Sequence, residues 1–354
     1  MKTSPARRTL ALGAALSAAV LAGTALPAMA APETPAHAAP AAGFTVRAFH
    51  GTAGESKPDD VVRLGGSIYV AYQNGVGPMG EPAADGATAS TIQQFSPDGR
   101  PGPSWNIPGR IDGMGADEAG HRLLVTTNED GNSSLHTLTP ARGAQAVKDY
   151  AYTGLTHGGG TDTVTVYHGR ILVTASNPAD STGPAVYEAA LSGTTAALTP
   201  LFKDNAAATL ANGPHAGQPT TLALTDPDSS TRVPAASPRF KDNFMLDAQG
   251  DQQLVFAQHA DTPRQALQVL DLAQPVDDTA FAGHRDQTLW TTDPDHNAVY
   301  AITGPFTAGQ ALSAVTPDSG PDYLATLDLN DGSLTPIPTL AGIHPKGLLF
   351  TDPS

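Results

Sequence analysis

Past residue 43 the chain alternates brief apolar runs with clusters of Gly, Pro, Asn and Asp. The runs are short and rich in Val, Ile, Thr and aromatic residues, which is the pattern of strands rather than helices. Strands are expected at Phe44–Phe49, Ser67–Gln73, His121–Thr127, Thr163–Tyr167, Arg170–Ser176, Thr221–Leu224 and Phe244–Leu246. Further strands are expected at Gln252–Ala257, Gln265–Leu272, Thr288–Thr292, Ala298–Thr303, Tyr323–Leu329 and Leu348–Phe350. Only Ala141–Asp149 and Asp204–Ala211 read as helical turns.

A unit recurs: a polar lead-in, a short strand, a tight turn and a strongly apolar strand. It is seen in DDVVRLGGSIYVAYQN, DGMGADEAGHRLLVTTN, TDTVTVYHGRILVTASN, DNFMLDAQGDQQLVFAQ and DDTAFAGHRDQTLWTTD, with a truncated HPKGLLFTD at the end. Antiparallel units repeated at this spacing predict an all-β chain folded as a β-propeller. Seven blades are expected if residues 178–241 hold a degenerate copy, and six otherwise. Phe44–Phe49 precedes the first full unit while the last copy is short of strands. The N-terminal strand is therefore expected to complete the last blade and close the ring, which leaves no sheet edge open.

The N-terminal residues have a different character. Lys2, Arg7 and Arg8 precede an apolar run from Leu10 to Leu26, and Ala28-Met29-Ala30 fits a signal-peptidase site. Residues 1–30 are thus read as a signal peptide, exported by the Sec or Tat route, and the protein as secreted or extracytoplasmic. Residues 31–43 are Ala/Pro-rich and aperiodic, a disordered spacer, and 44–354 form one domain. No other stretch has the length of apolar chain that a membrane span needs.

Composition narrows the chemistry. There is no cysteine, which excludes disulfides and thiolate metal sites. The formal charge is −15, and it becomes −18 once the three cations of the signal leave. That balance excludes nucleic acid as a partner, since phosphate binding needs Lys and Arg. The acids are overwhelmingly Asp, with Glu only at 33, 55, 81, 118, 129 and 188, which points to side chains that bond their local backbone at turns.

The inner hairpins resemble those of NHL-type and YncE-type propellers. HGGGTD (157–162), LTDPDS (224–229), SPRF (237–240), QGDQQ (249–253) and PKGLLF (345–350) are similar to segments of secreted actinobacterial propeller-like proteins. This resemblance spans residues 44–354. It implies the fold and the compartment, and no reaction.

In a propeller the lead-ins to the innermost strands open onto one face of a central channel. The residues expected there are Asp59, Asp60, Asp112, His157, Asp162, His215, Gln218, Asp242, Asp277, Asp278, His344 and Lys346. Ligand-binding candidates among them are Asp60, Asp112, His157, Asp162, His215, Asp242, Asp278 and His344. His157, His215 and His344 together are candidate ligands for a divalent metal, zinc or copper on imidazole, with calcium suited to the carboxylates. The Asp-rich loops TDPDSS (225–230) and TDPDHN (292–297) read as turns. No catalytic residue is assigned, because the nucleophile elbow, the HExxH motif, the phosphate loop and the dinucleotide fingerprint are all missing.

The expected function is a monomeric exported propeller that binds a small molecule or an envelope protein through its channel face. The alternatives are a metal-dependent hydrolase or lyase, in the manner of the lactonase-like or hydroxyglycine-lyase-like propellers, and a cell-envelope scaffold.

Overall fold

The computed structural model describes residues 43–353 except Ala53 and Ala179. The expected signal peptide, and the spacer up to residue 42, lie outside the described residues.

The chain opens with β1 (Thr45–Phe49). The first antiparallel sheet is β2 (Pro58–Leu64), β3 (Ser67–Tyr72), β4 (Ala89–Phe95) and β5 (Pro101–Pro108), in that order. The second is β6 (Ile111–Asp117), β7 (Arg122–Thr127), β8 (Ser134–Leu138) and β9 (Val147–Thr153), and the third is β10 (Gly160–Tyr167), β11 (Arg170–Ser176), β12 (Pro184–Ser192) and β13 (Thr195–Lys203); the outer strands β9 and β13 pair in parallel, so the two blades share one continuous eight-stranded sheet. A small pair, β14 (Ala207–Leu210) and β15 (Pro219–Thr221), docks on the outer edge of the fourth sheet. That sheet is β16 (Pro227–Arg232), β17 (Phe244–Ala248), β18 (Gln253–Gln258) and β19 (Ala266–Asp271).

The last two sheets are interleaved. β20 (Val276–Phe281) is followed by β21 (Thr288–Asp293) and β22 (Ala298–Thr303), yet it pairs with β23 (Ala311–Val315). β24 (Tyr323–Leu327) and β25 (Leu334–Pro336) complete that fifth sheet. The C-terminal β26 (Leu348–Thr351) then returns as the inner strand of the sixth sheet, beside β21 and β22, and β1 closes it on the outside.

The inner strands β2, β6, β10, β16, β20 and β26 each pack against the next, and β26 packs back on β2. The core has the same symmetry, with one apolar cluster between each pair of neighbouring sheets. The molecule is a β-propeller closed by its N-terminal strand, as expected. Among the described residues it has six blades rather than seven. Residues 178–241 supply the outer strands of the third blade, the small added pair and the fourth inner strand, with no seventh sheet between them. Ala207–Leu210 is a strand, because it finds a sheet edge at β19 and its Ala-rich composition does not decide the matter. Thr221–Leu224 keeps only Thr221 as strand.

The expected hairpin across residues 283–286 does not form. Gln287 Oε1 accepts the backbone N–H of Gly283 at 2.6 Å and of His284 at 3.3 Å. Gln287 and His284 are in turn bonded to Asp352 beyond β26. The turn thereby carries the chain across to the next blade. A Gly-containing turn between two apolar strands specifies that both run antiparallel, and not that they pair with each other.

Candidate functional site

Each inner strand begins with a polar residue flanked by a backbone irregularity. The pairing of β2, β6, β10, β16 and β20 with their neighbours slips at this point in every case. Such bulges turn a side chain out of the regular alternation. The residues so placed are Asp59, Asp112, Asp162, Asp228 and Asp277, and on the sixth inner strand's lead-in Lys346. All six line a cavity of about 480 Å³ on the propeller axis.

Hydroxyls from the second strands fix three of these positions. Thr126 Oγ1 donates to the carbonyl of Asp162, Thr174 Oγ1 to that of Asp228 at 2.8 Å, and Thr292 Oγ1 to that of Asp59. In each case the threonine belongs to the preceding blade, so each blade sets the lead-in of the next. The same hydroxyls accept from Thr163 N–H and Gly347 N–H at 2.9 Å, which ties down the bulged backbone. Close approach does the rest. A Cβ on Gly113 would lie 2.4 Å from Thr163 Cα, and one on Gly347 would lie 2.7 Å from the Asp59 carbonyl.

The carboxylates fall into three chemical groups. Asp60 and Asp278 are structural in their contacts. Asp60 accepts Val61 N–H at 2.6 Å and Met114 N–H at 2.5 Å, and Asp278 accepts Thr279 N–H and Leu348 N–H, both at 2.7 Å. Each therefore staples one inner strand to the next. Asp112, Glu129 and Asp277 are paired with cations. Arg110 lies 2.9 Å from Asp112 and 2.8 Å from Glu129, and Lys346 Nζ donates to Asp277, which also accepts from Gln249 Nε2 at 3.2 Å. The side chains of Asp59, Asp162 and Asp228 form the third group. They have no hydrogen-bond partner among the described residues, although they line the cavity and Asp162 is 6% exposed.

Burial sets the protonation of this ring. It pushes Asp59 up to about 6, against the opposing pull of Lys346. It pushes Asp60 to about 7 and Asp278 to about 8, in spite of their backbone donors. Asp162 and Asp228 lie well above the usual carboxylate range, through burial first and then through repulsion, of Asp162 by Asp228 and of Asp228 by Asp277. Asp112 is raised by burial and by Glu129. Burial opposes the charge of Lys346, but Asp277, Asp59 and Asp228 outweigh it and hold the amine above its ordinary value.

Of the residues singled out in the sequence, Asp60, Asp112, Asp162 and Asp278 meet at this cavity, with Asp59, Asp277 and Lys346. His157, His215, Asp242 and His344 are not among its lining residues. His157 is buried beside β10, its Nδ1 accepting Gly159 N–H at 2.9 Å and its ring 6.2 Å from Tyr187. Burial lowers it to about 4. His215 lies in an exposed turn between β14 and β15. Asp242 sits at the opposite end of the fourth blade, where it pairs with Arg232 and His168. His344 belongs to a different group, with Asp293 and His296, so the three expected metal histidines are dispersed. Asp242 is misplaced by a one-strand error of register. The fourth inner strand is β16, and DNFMLD belongs to the second strand.

Asp228 was concealed in TDPDSS, which reads as a turn and is in fact the start of β16. The signal that could have found it is the x-Asp-x lead-in shared with PDDV, IDGM, TDTV and VDDT. Asp247 on β17 was also missed. It is fully buried with neither carboxylate oxygen partnered, and burial raises it well above the ordinary range.

No family model matches the chain, and no curated protein matches it. Solved structures do. A periplasmic gluconolactonase of Pseudomonas aeruginosa is 13% identical over 84% of this chain and 89% of its own, at a TM-score of 0.48. Streptogramin B lyase is 11% identical over 84% and 75%, at 0.40, and the WD40 β-propeller domain of Doa1 is 13% identical over 85% and 88%, at 0.43.

Proposed function

We propose that the protein is an exported binding propeller whose axial cavity takes a small organic cation, an amine or polyamine, on Asp59, Asp162 and Asp228. The observation that carries this reading is the set of three unpartnered, cavity-lining carboxylates. Carboxylates crowded together without a protein donor repel one another, and an ammonium ligand supplies both the charge and the hydrogen bonds they lack. The cavity volume suits a small molecule. Among the described residues, the one group offering three metal-ligand atoms within 4.8 Å of one another is Asp293, His296 and His344, away from this ring. Lys346 and Arg110 are neutralised by their own acids and leave the free charge negative. Export rests on residues 1–30, and would have the ligand met outside the cytoplasm.

Calorimetric titration with diamines and polyamines, set against neutral polyols and carboxylates, tests the reading. Saturable binding of an amine is expected, tightening as the pH rises through about 6, where Asp59 ionises, and further as the more strongly raised Asp162 and Asp228 follow. Asp162→Asn or Asp228→Asn should weaken it at least about tenfold, since each removes a charge-assisted hydrogen bond worth about 1.5–3 kcal/mol. Binding of anions in preference to amines, or an Asp162→Asn variant that binds as the parent does, would contradict it.

A further inference from the structure

A second cluster lies where β21 ends and the lead-in to β26 begins. β21 runs antiparallel to β26, so its last residue, Asp293, stands beside His344, two residues before Lys346. Asp293 is fully buried. Its Oδ2 is 2.8 Å from His296 Nδ1 and accepts His344 N–H at 2.9 Å, and its Oδ1 accepts His296 N–H at 3.0 Å. His344 Nδ1 is 2.9 Å from Asp295 Oδ2. The two imidazoles are neighbours, with centroids 5.0 Å apart and planes tilted by 53°. One ligand atom from each of Asp293, His296 and His344 lies within 4.8 Å of the other two.

Three further features mark a site rather than a chance surface group. His344 is engaged at Nδ1 by Asp295, outside the cluster, while its Nε2 has no protein partner among the described residues; His296 Nδ1 faces Asp293, the third member of the cluster. Carboxylates behind imidazoles in this way orient histidines that ligate metals. The turn that carries His296 is also held from outside, since Asn297 Oδ1 accepts Lys57 N–H at 3.1 Å and its Nδ2 donates to the Glu55 carbonyl at 3.0 Å. Finally, both histidines remain reachable, with side chains 39% and 23% exposed.

We infer that Asp293, His296 and His344 form a binding site for a divalent transition-metal ion at the rim of the propeller channel, with Asp295 as the positioning residue behind His344. Two imidazoles and one carboxylate suit zinc and its neighbours rather than calcium or magnesium, which prefer all-oxygen shells. The axial ring offers carboxylates and Lys346 but no imidazole, so the two sites differ in the ion or group they select. Thr292 and Gly347 connect them: Thr292 Oγ1 and Gly347 N–H both bond the Asp59 carbonyl.

Titration of the tag-free, chelator-treated full chain with Zn²⁺ alone tests the inference. One ion per chain is expected. His296→Ala and His344→Ala should each weaken binding at least about tenfold, and Asp295→Asn about ten- to a hundredfold, as expected of a residue acting through a ligand. Substituting Co²⁺ should give a d–d absorption spectrum that Asp295→Asn perturbs, which a purely structural role would not do. Asp162→Asn should leave Zn²⁺ binding unchanged. His296 sits in a half-exposed turn, so its variant serves if His344→Ala fails to fold. No stoichiometric Zn²⁺ uptake, or uptake kept in His296→Ala and lost in Asp162→Asn, would overturn the site.

Discussion

Thr174 illustrates how single residues build the channel. Its hydroxyl accepts from Thr163 N–H and donates to the Asp228 carbonyl, and it is fully buried while doing so. Thr174→Val keeps the shape and strands both partners. Leaving a buried polar group unsatisfied costs about 1–3 kcal/mol, so chemical denaturation should show a loss of that order, and an unchanged midpoint would remove this role. The lead-in residues Asp59, Asp112, Asp162 and Asp277 were legible in the sequence because Asp recurs at one place in the unit. The threonines stood in the quoted repeats, in LLVTTN, ILVTAS and LWTTD, but their job spans two blades and so leaves no local signature. Asp293 and His296 were visible only as a turn. What makes them a cluster is His344, 51 residues away from Asp293 in sequence and adjacent only because β26 returns to β21.

Among the elements, the sixth blade is the joint of the ring. It is built from β1, β21, β22 and β26, so both chain ends must arrive for it to exist. Trp290 on β21 is 2% exposed and stacks on Phe49 of β1 at 5.5 Å, with Nε1 donating to Thr351 of β26 at 3.1 Å. One side chain thus spans the N-terminal, middle and C-terminal strands of the blade. Trp290→Ala should cost about 3–5 kcal/mol, in the range for large aromatic deletions, and should speed proteolysis at β1. A loss below about 1 kcal/mol would show that the joint does not depend on it. The period-two patterns of the strands were readable, and so was closure by Phe44–Phe49. The interleaving of the fifth and sixth blades was not, because the same antiparallel strands can be joined in either order without any change in their own patterns.

For the whole molecule, the ring of acids gives stability an unusual dependence on pH. Asp59, Asp60 and Asp278 have values of about 6, 7 and 8 when folded, against 3.8 ordinarily. The folded state holds protons that the unfolded chain has already released. These groups therefore contribute stability that is complete below about pH 4 and is lost as the pH rises toward 8. Surface acids such as Asp352, lowered by its hydrogen bond to His284, act with the opposite sign but in the more acidic window. Thermal melts should show Tm falling between pH 5 and pH 8.5, with a shallower fall in Asp278→Asn. A Tm that rises over that range would contradict the assignment. By composition the excess of Asp over Glu points to turn chemistry. It has two sources, turns at the hairpin tips and a buried ring on the axis, and composition alone could not separate them.

On the proposed reading the axial carboxylates wait for a cation. This is tested most directly by titrating a polyamine into the protein at pH 6 and pH 8, with Asp162→Asn in parallel. Saturable binding is expected, tighter at pH 8 and weaker by about tenfold or more in the variant. Equal affinity at both pH values, with the variant indistinguishable from the parent, would contradict it.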